Sequence, residues 1–207
     1  MRSIISLASA AVLAVSLFLN SVAAEEISPY KVLETTGTNL FSRIASNQQE
    51  IEKFPEIMRT IVEEELMPSI DYKYAAYRVL GKNLKKVSKE QRKKFVESMR
   101  FYLIRTYASA LTQYSDQKVV FEPEKPTHNK RIVAINTQII DTERPTIDMT
   151  FKMRKNKKTL QWKAFDMVVE GISLLDGFFS LINIVIISLD ILIFSSVIDL
   201  FLGILLD

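Results

Sequence analysis

The stretch from Leu160 to Ser173 constrains the fold more than any other part of the chain, because it reads as a strand with apolar side chains on both sides. Alternation puts Phe165, Met167 and Val169 on one face and Leu160, Trp162, Ala164 and Val168 on the other, with only Asp166 interrupting the second set. Such a strand must pair along its edges and be covered by another layer. The segments that meet both demands lie upstream.

Three further runs of period two precede it: Lys118 to Glu122, Arg131 to Ile140 and Thr146 to Arg154. In the last, Ile147, Met149, Phe151 and Met153 point one way, while Thr146, Asp148, Thr150, Lys152 and Arg154 point the other. The connections at 141–145 and 155–158 are polar and of hairpin length, so the spacing predicts a four-stranded antiparallel meander.

Before the strands the period is helical. Ser28-Pro29 supplies an N-cap and a first-turn proline for a long helix striped by Leu33, Leu40, Phe41, Ile44 and Ile51. A shorter helix follows Pro55, carries Ile57, Met58, Ile61, Val62 and Leu66, and ends at Pro68. A third runs from about Ser69 to Leu80. Ser88 and Gln91 form a capping box for a fourth reaching about Tyr114, whose face includes Phe95, Met99, Leu103, Tyr107 and Leu111. Helices first and strands afterwards give an α+β class, with helices packed on a curved antiparallel sheet.

Residues 1–24 are set apart as a targeting segment. Arg2, an apolar run from Ile4 to Leu19 and small residues at Ser21, Ala23 and Ala24 match a secretory signal peptide cleaved after Ala23 or Ala24. The run is shorter than the ~20 residues a membrane-spanning helix needs. The expectation is an exported domain over 25–176, in a bacterium a periplasmic one. It contains no cysteine, which removes disulfides, thiol nucleophiles and thiolate metal sites. His128, the single histidine, sits in a loop flanked by Pro123 and Pro126 and reads as solvated.

With five glycines, no phosphate-cradling loop and no G-x-S-x-G or H-E-x-x-H motif, nothing points to nucleotide or hydrolase chemistry, and no cofactor or metal is expected. Asp148, Asp166 and Glu170 are the acids that strands would carry, and one of them could act as a general base. No acid–base partner can be named, and solvated or paired carboxylates account for them. Lys82, Lys85, Lys86, Lys89, Arg92, Lys93 and Lys94, with Arg154, Lys155, Lys157 and Lys158, form basic runs suited to an anionic surface or an acidic partner, or simply to solvent. They lack the stacking platform of a nucleic-acid binder. The methionine-rich apolar surface of the strands fits either an ordinary core or a cavity for irregular apolar ligands.

Several runs resemble one family. Thr60 to Asp71 (TIVEEELMPSID) with Val79-Leu80-Gly81, then Phe101-Tyr102-Leu103, Thr106-Tyr107-Ala108 and Ala110-Leu111, and finally Trp162 to Asp166 and Val169 to Ser173, are similar in order and spacing to the MlaC family of periplasmic phospholipid-binding proteins, known also for toluene tolerance. The resemblance covers roughly Tyr30 to Asp176. It implies a nuclear-transport-factor-like sheet and helices enclosing a deep cavity for lipid tails. It also implies a shuttle between an outer-membrane lipoprotein complex and an inner-membrane ABC transporter complex that maintains outer-membrane asymmetry.

On that reading the tails meet Met149, Phe151, Met153, Phe165, Met167 and Val169 from the sheet. From the helices come Leu66, Ile70, Tyr74, Leu103, Tyr107 and Leu111, with Ile172 beyond the last strand and basic residues near the mouth for docking. No catalytic residue is expected. The readings from other classes are a small-molecule enzyme using a buried carboxylate and a membrane-anchored adaptor.

After Asp176 the resemblance stops. The family continues into a charged amphipathic stretch and a closing helix, whereas residues 177–207 are strongly apolar and no Lys or Arg follows Lys163. The favoured expectation is a frameshifted or otherwise altered end. A membrane anchor is opposed by Asp190 and Asp199, each costing ~2.5–3.5 kcal/mol at a bilayer centre. A helix that fills the cavity is the third reading.

Overall fold

The computed structural model of the chain describes residues 27–112 and 117–177. The expected signal segment at 1–24 and the apolar tail from 178 onward lie outside the described residues.

The first helix, α1 (Pro29–Ser46), begins where the sequence placed it: Ser28 Oγ accepts from the Lys31 amide at 3.2 Å, and Pro29 occupies the first turn. It does not run on to Ile51. Asn47 Nδ2 donates to the Arg43 carbonyl at 2.7 Å, and the chain restarts as α2 (Gln48–Lys53). Apolar periodicity passes through Asn47, but an asparagine side chain competes for the helical carbonyl and breaks the ladder locally.

Next come α3 (Ile57–Ile61), one wide π turn (Val62–Leu66) and a tight 3₁₀ turn (Met67–Ser69). The wide turn splays successive carboxylates in two directions. Glu63 pairs with Arg100, while Glu64 and Glu65 both pair with Arg43 of α1. Each arginine is held above its usual pKa, mainly by its hydrogen bond to Glu65 at Arg43 and to Glu63 at Arg100.

The chain then touches the sheet. Ile70 bridges Ala164 in parallel, and the Asp71 amide donates to the Ala164 carbonyl at 2.7 Å. Asp71 also caps α4 (Tyr72–Leu80) through the Tyr74 amide at 3.1 Å. After a 3₁₀ turn (Gly81–Lys85), the Ser88/Gln91 capping box forms in both directions and starts α5 (Lys89–Leu111).

Among the described residues the sheet has five antiparallel strands in the order β1-β2-β3-β4-β5: β1 (Lys118–Phe121), β2 (Ile132–Ile140), β3 (Ile147–Lys155), β4 (Trp162–Val169) and β5 (Ile172–Ser173). The class is the expected α+β, with one strand more than the predicted four. The Leu160–Ser173 stretch is not one strand, because Glu170 and Gly171 adopt φ of 48° and 79° and reverse the chain. Positive φ at both central residues makes the tight hairpin turn whose twist suits flanking strands, and glycine occupies its second position without strain.

A second correction concerns the faces of β4. Lys152 pairs with Asp166 but Met153 with Ala164, which leaves Phe165 as an extra residue, a β-bulge. The alternation changes phase there. Residues directly opposite share a face, so Trp162 and Ala164 lie on the same side as Met167 and Val169, not across the sheet from them.

Two apolar clusters join the layers. The larger packs Leu33, Leu40 and Ile44 of α1 and Ile104 and Ala108 of α5 with Val133, Ile135 and Met153 of the sheet. The smaller joins α4 to α5 through Ala76, Val79, Leu80, Phe95 and Met99.

Candidate functional site

The helix and sheet layers do not close along their whole length. Between α1, α5 and the inner face of the sheet lies a cavity of about 400 Å³, within the ~300–1,000 Å³ typical of small-molecule sites. Its depth can be followed along β3: Ile147 is 39% exposed, Met149 and Phe151 are half-buried, and Met153 is 1% exposed. The exposed end, where β2 turns into β3, is the mouth.

One wall is a helical stripe. Tyr102, Leu103, Thr106, Tyr107, Ala110 and Leu111 recur at intervals of one and three residues and so share a face of α5. The opposite wall comes from the sheet, with Met149 and Phe151 of β3 and Ala164, Phe165 and Met167 of β4. Leu66 follows the π turn and Ile70 forms the parallel bridge; together with Leu174 and Leu175 they contribute to the lining.

Of the residues the sequence placed around apolar cargo, Leu66, Ile70, Leu103, Tyr107, Leu111, Met149, Phe151, Phe165 and Met167 line this cavity. Tyr74, Met153, Val169 and Ile172 do not. Tyr74 stands behind Phe165, edge to face at 5.1 Å between centroids, with the Arg154 guanidinium 4.1 Å from its ring. Met153 is packed into the core, Val169 pairs with Met149 at the end of β4, and Ile172 is 68% exposed on β5.

Sequence reasoning missed the contribution of α1 and β1. Leu33, Thr36, Gly37, Leu40 and Phe41 form a wall facing Val119 and Phe121. A Cβ on Gly37 would meet Phe121 Cζ at 3.1 Å, so glycine is what lets α1 come this close to the β1 ring. The stripe of α1 was visible in the sequence, but nothing local told core from cavity.

The charged lining groups divide into two sets. At the inner end, Asp166 Oδ2 accepts from Lys152 Nζ at 2.7 Å and from Ser173 Oγ at 2.9 Å, and Oδ1 accepts from the Leu175 amide at 3.1 Å. Its side chain is 3% exposed. A carboxylate so engaged is a clamp on the segment after β5, not a free base. Burial pushes the nearby Tyr107 phenol up to about 12, with Asp166 and then Tyr102 adding to the shift. Asp148 and Glu170 are exposed and tied to each other's strands: Glu170 Oε1 accepts from the Asp148 amide at 2.7 Å.

At the mouth are Gln117, Asp141 and Arg144. The Glu143 amide donates to Asp141 Oδ1 at 2.8 Å and Gln117 Nε2 to Oδ2 at 3.1 Å. These bonds, in that order, hold the Asp141 carboxyl below the usual carboxylate range.

The long basic run is elsewhere. Lys89, Lys93 and Lys94 begin α5 while Leu111 ends it, and at ~1.5 Å per residue that separates them from the mouth by about a helix length. Lys157 and Lys158 follow the far end of β3, and Arg154 is paired with Asp71. The basic residues expected near the mouth therefore reduce to Arg144 among the described lining residues.

A sequence model of the MlaC protein family matches residues 34–186. The chain belongs to the MlaC family. It is 39% identical over 152 residues to the intermembrane phospholipid transport system binding protein MlaC of Haemophilus influenzae, covering 73% of this chain and 71% of that one. It is 23% identical over 157 residues to the toluene tolerance protein ttg2D of Pseudomonas putida, covering 75% and 71%. Among solved structures, a phospholipid-binding protein from Ralstonia solanacearum, determined in complex with a phospholipid, superimposes with a TM-score of 0.70. It shares 18% identity and covers 78% of this chain and 89% of that one. This likeness establishes the family's fold for the helices and sheet described above.

Proposed function

We propose that this protein is a phospholipid carrier that works in the periplasm. It would take lipid from one membrane-bound complex and deliver it to another, with an outer-membrane lipoprotein complex and an inner-membrane ABC transporter complex at the two ends. The observation that carries this reading is the cavity itself: a mainly apolar space of about 400 Å³ between well-packed layers, with charged lining residues only at its mouth and at Asp166. Each methylene hidden from water is worth ~0.8 kcal/mol, so a diacyl lipid leaves a bilayer unaided only rarely. A carrier lowers that barrier by offering its own hydrocarbon-like wall.

In this reading the acyl chains lie against Leu103, Tyr107 and Leu111 on one side and Met149, Phe151, Phe165 and Met167 on the other, with Leu66 and Ile70 at the inner end. No bond is made or broken, so the protein needs no catalytic residue. Methionine and leucine walls adapt to chains of varied length and unsaturation, which suits a carrier of bulk membrane lipid. The family match and the name of the Haemophilus relative support the same role.

The test is transfer of a fluorescent phospholipid between donor and acceptor vesicles separated by a protein-permeable membrane. The expected result is transfer proportional to protein concentration, abolished by Phe151→Asp combined with Leu103→Asp. Equal transfer with and without protein would overturn the proposal.

A further inference from the structure

The charged residues that line the mouth of the cavity are one of each sign, Asp141 and Arg144, and each acts on the other's charge. Arg144 is exposed, lines the cavity and makes no salt bridge among the described residues. Asp141 stands on the same short connection between β2 and β3. Its carboxylate is oriented by the Glu143 amide at 2.8 Å and by Gln117 Nε2 at 3.1 Å. These donors, joined by the Arg144 amide, are neutral, so the carboxylate stays charged, with the Arg144 guanidinium acting on it from the same connection. The Lys and Arg residues of the basic runs cluster at the opposite end, so the charged lining that cargo meets here is one guanidinium and one carboxylate, with exposed Lys118 and Glu143 beside them, and not a uniformly positive rim.

We propose that Arg144 and Asp141 form a headgroup seat for a zwitterionic phosphodiester lipid bearing a primary ammonium. This inference rests on the carrier reading above and adds to it a cargo preference. The guanidinium receives the phosphodiester oxygens, for which its planar fork is suited. The carboxylate faces the ammonium, which lies a few bonds further out and beyond the cavity edge. A lipid whose headgroup ends in neutral hydroxyls keeps the first contact and loses the second. Its phosphate then shares Arg144 with Asp141, and no ammonium makes up the difference. Held below the ordinary carboxylate range, Asp141 keeps its charge in mildly acidic surroundings as well.

The experiment loads the full, delipidated protein from vesicles containing equal amounts of phosphatidylethanolamine and phosphatidylglycerol with identical acyl chains, and measures bound lipid by mass spectrometry. The expected result is about threefold enrichment of phosphatidylethanolamine, the scale of one exposed ion pair. Asp141→Asn brings the ratio to that of the vesicles. Arg144→Gln lowers retention of both lipids, and Arg144→Lys restores part of it. Soluble glycerophosphoethanolamine at millimolar concentration leaves bound lipid in place.

Wild-type loading at the vesicle ratio, unchanged enrichment in Asp141→Asn, unchanged retention in Arg144→Gln, or displacement by the soluble headgroup would each overturn the seat. All of these leave the carrier reading standing. Failure of the wild-type protein to take up either lipid would instead remove that reading together with the seat.

Discussion

Replacing Asp166 by alanine tests how the inner end of the cavity is held together. Its side chain is 3% exposed and accepts from Lys152 Nζ, Ser173 Oγ and the Leu175 amide. Without the carboxylate, the Ser173 hydroxyl and the Leu175 amide lose their acceptor. Each donor left unsatisfied in a buried position costs ~1–3 kcal/mol. Lys152 is 36% exposed and can turn to solvent, so its lost partner adds little. The expected destabilisation is about 2–4 kcal/mol. Lys152→Met, which strips the buried carboxylate of its cation but leaves both neutral donors on it, should cost less, about 1–2 kcal/mol. Equilibrium urea unfolding separates the two. With a slope of ~2 kcal/mol/M, the Asp166→Ala midpoint falls by about 1–2 M, and the Lys152→Met midpoint by about half as much. Because Leu174 and Leu175 line the cavity, lipid loading should fall in Asp166→Ala as well. A larger shift for Lys152→Met than for Asp166→Ala would refute the argument that the clamp, rather than the ion pair, is what matters.

Gly37→Leu should fill the cavity beside Phe121, where even a Cβ stands 3.1 Å from the ring, and cut lipid loading severalfold; Gly37→Ala should load nearly normally, and equal loading of the two would count against the placement. Thr137 is 1% exposed with no partner for its hydroxyl among the described residues. Thr137→Val should therefore raise stability by about 1 kcal/mol and the melting temperature by ~2–4 °C in calorimetry, whereas a lower melting temperature would mean the hydroxyl has a use. Tyr107 gives a pH signature. Its phenol is raised to about 12, whereas an unfolded tyrosine titrates near ~10. Its contribution to stability is full below the unfolded value and is lost as pH rises from there towards about 12. Tyr107→Phe should flatten that part of the urea-midpoint profile, and an unchanged slope would contradict it.

Much of the fold was legible because its signals are local. Ser28-Pro29 and the Ser88/Gln91 box mark helix starts through hydrogen bonds spanning three residues, and β3 alternates without a fault. The misreadings each arise where one residue changes the register. The bulge at Phe165 inserts an apolar residue into an apolar strand, so alternation continues on paper while the faces exchange. Asn47 interrupts α1 through its own side chain without disturbing the apolar stripe. The Glu170-Gly171 turn carried a readable glycine, obscured by Ile172 continuing the apolar pattern.

The cavity was legible only in part, because lining and core residues have the same chemistry. Met153 and Phe151 sit two apart on one face, yet only Phe151 reaches the space. Layer separation decides this, and it depends on where α1 and α5 rest. The mouth was illegible for another reason. Gln117, Asp141 and Arg144 come from the ends of different strands and meet only when β1 pairs with β2.

The central claim is that hydrocarbon, not protein, completes this domain's interior. Native mass spectrometry of the purified protein tests it most directly. The account predicts a species heavier than the polypeptide by one diacyl phospholipid, released on denaturation and identified in the organic extract. A polypeptide of bare mass that also stays bare after incubation with phospholipid vesicles would contradict it.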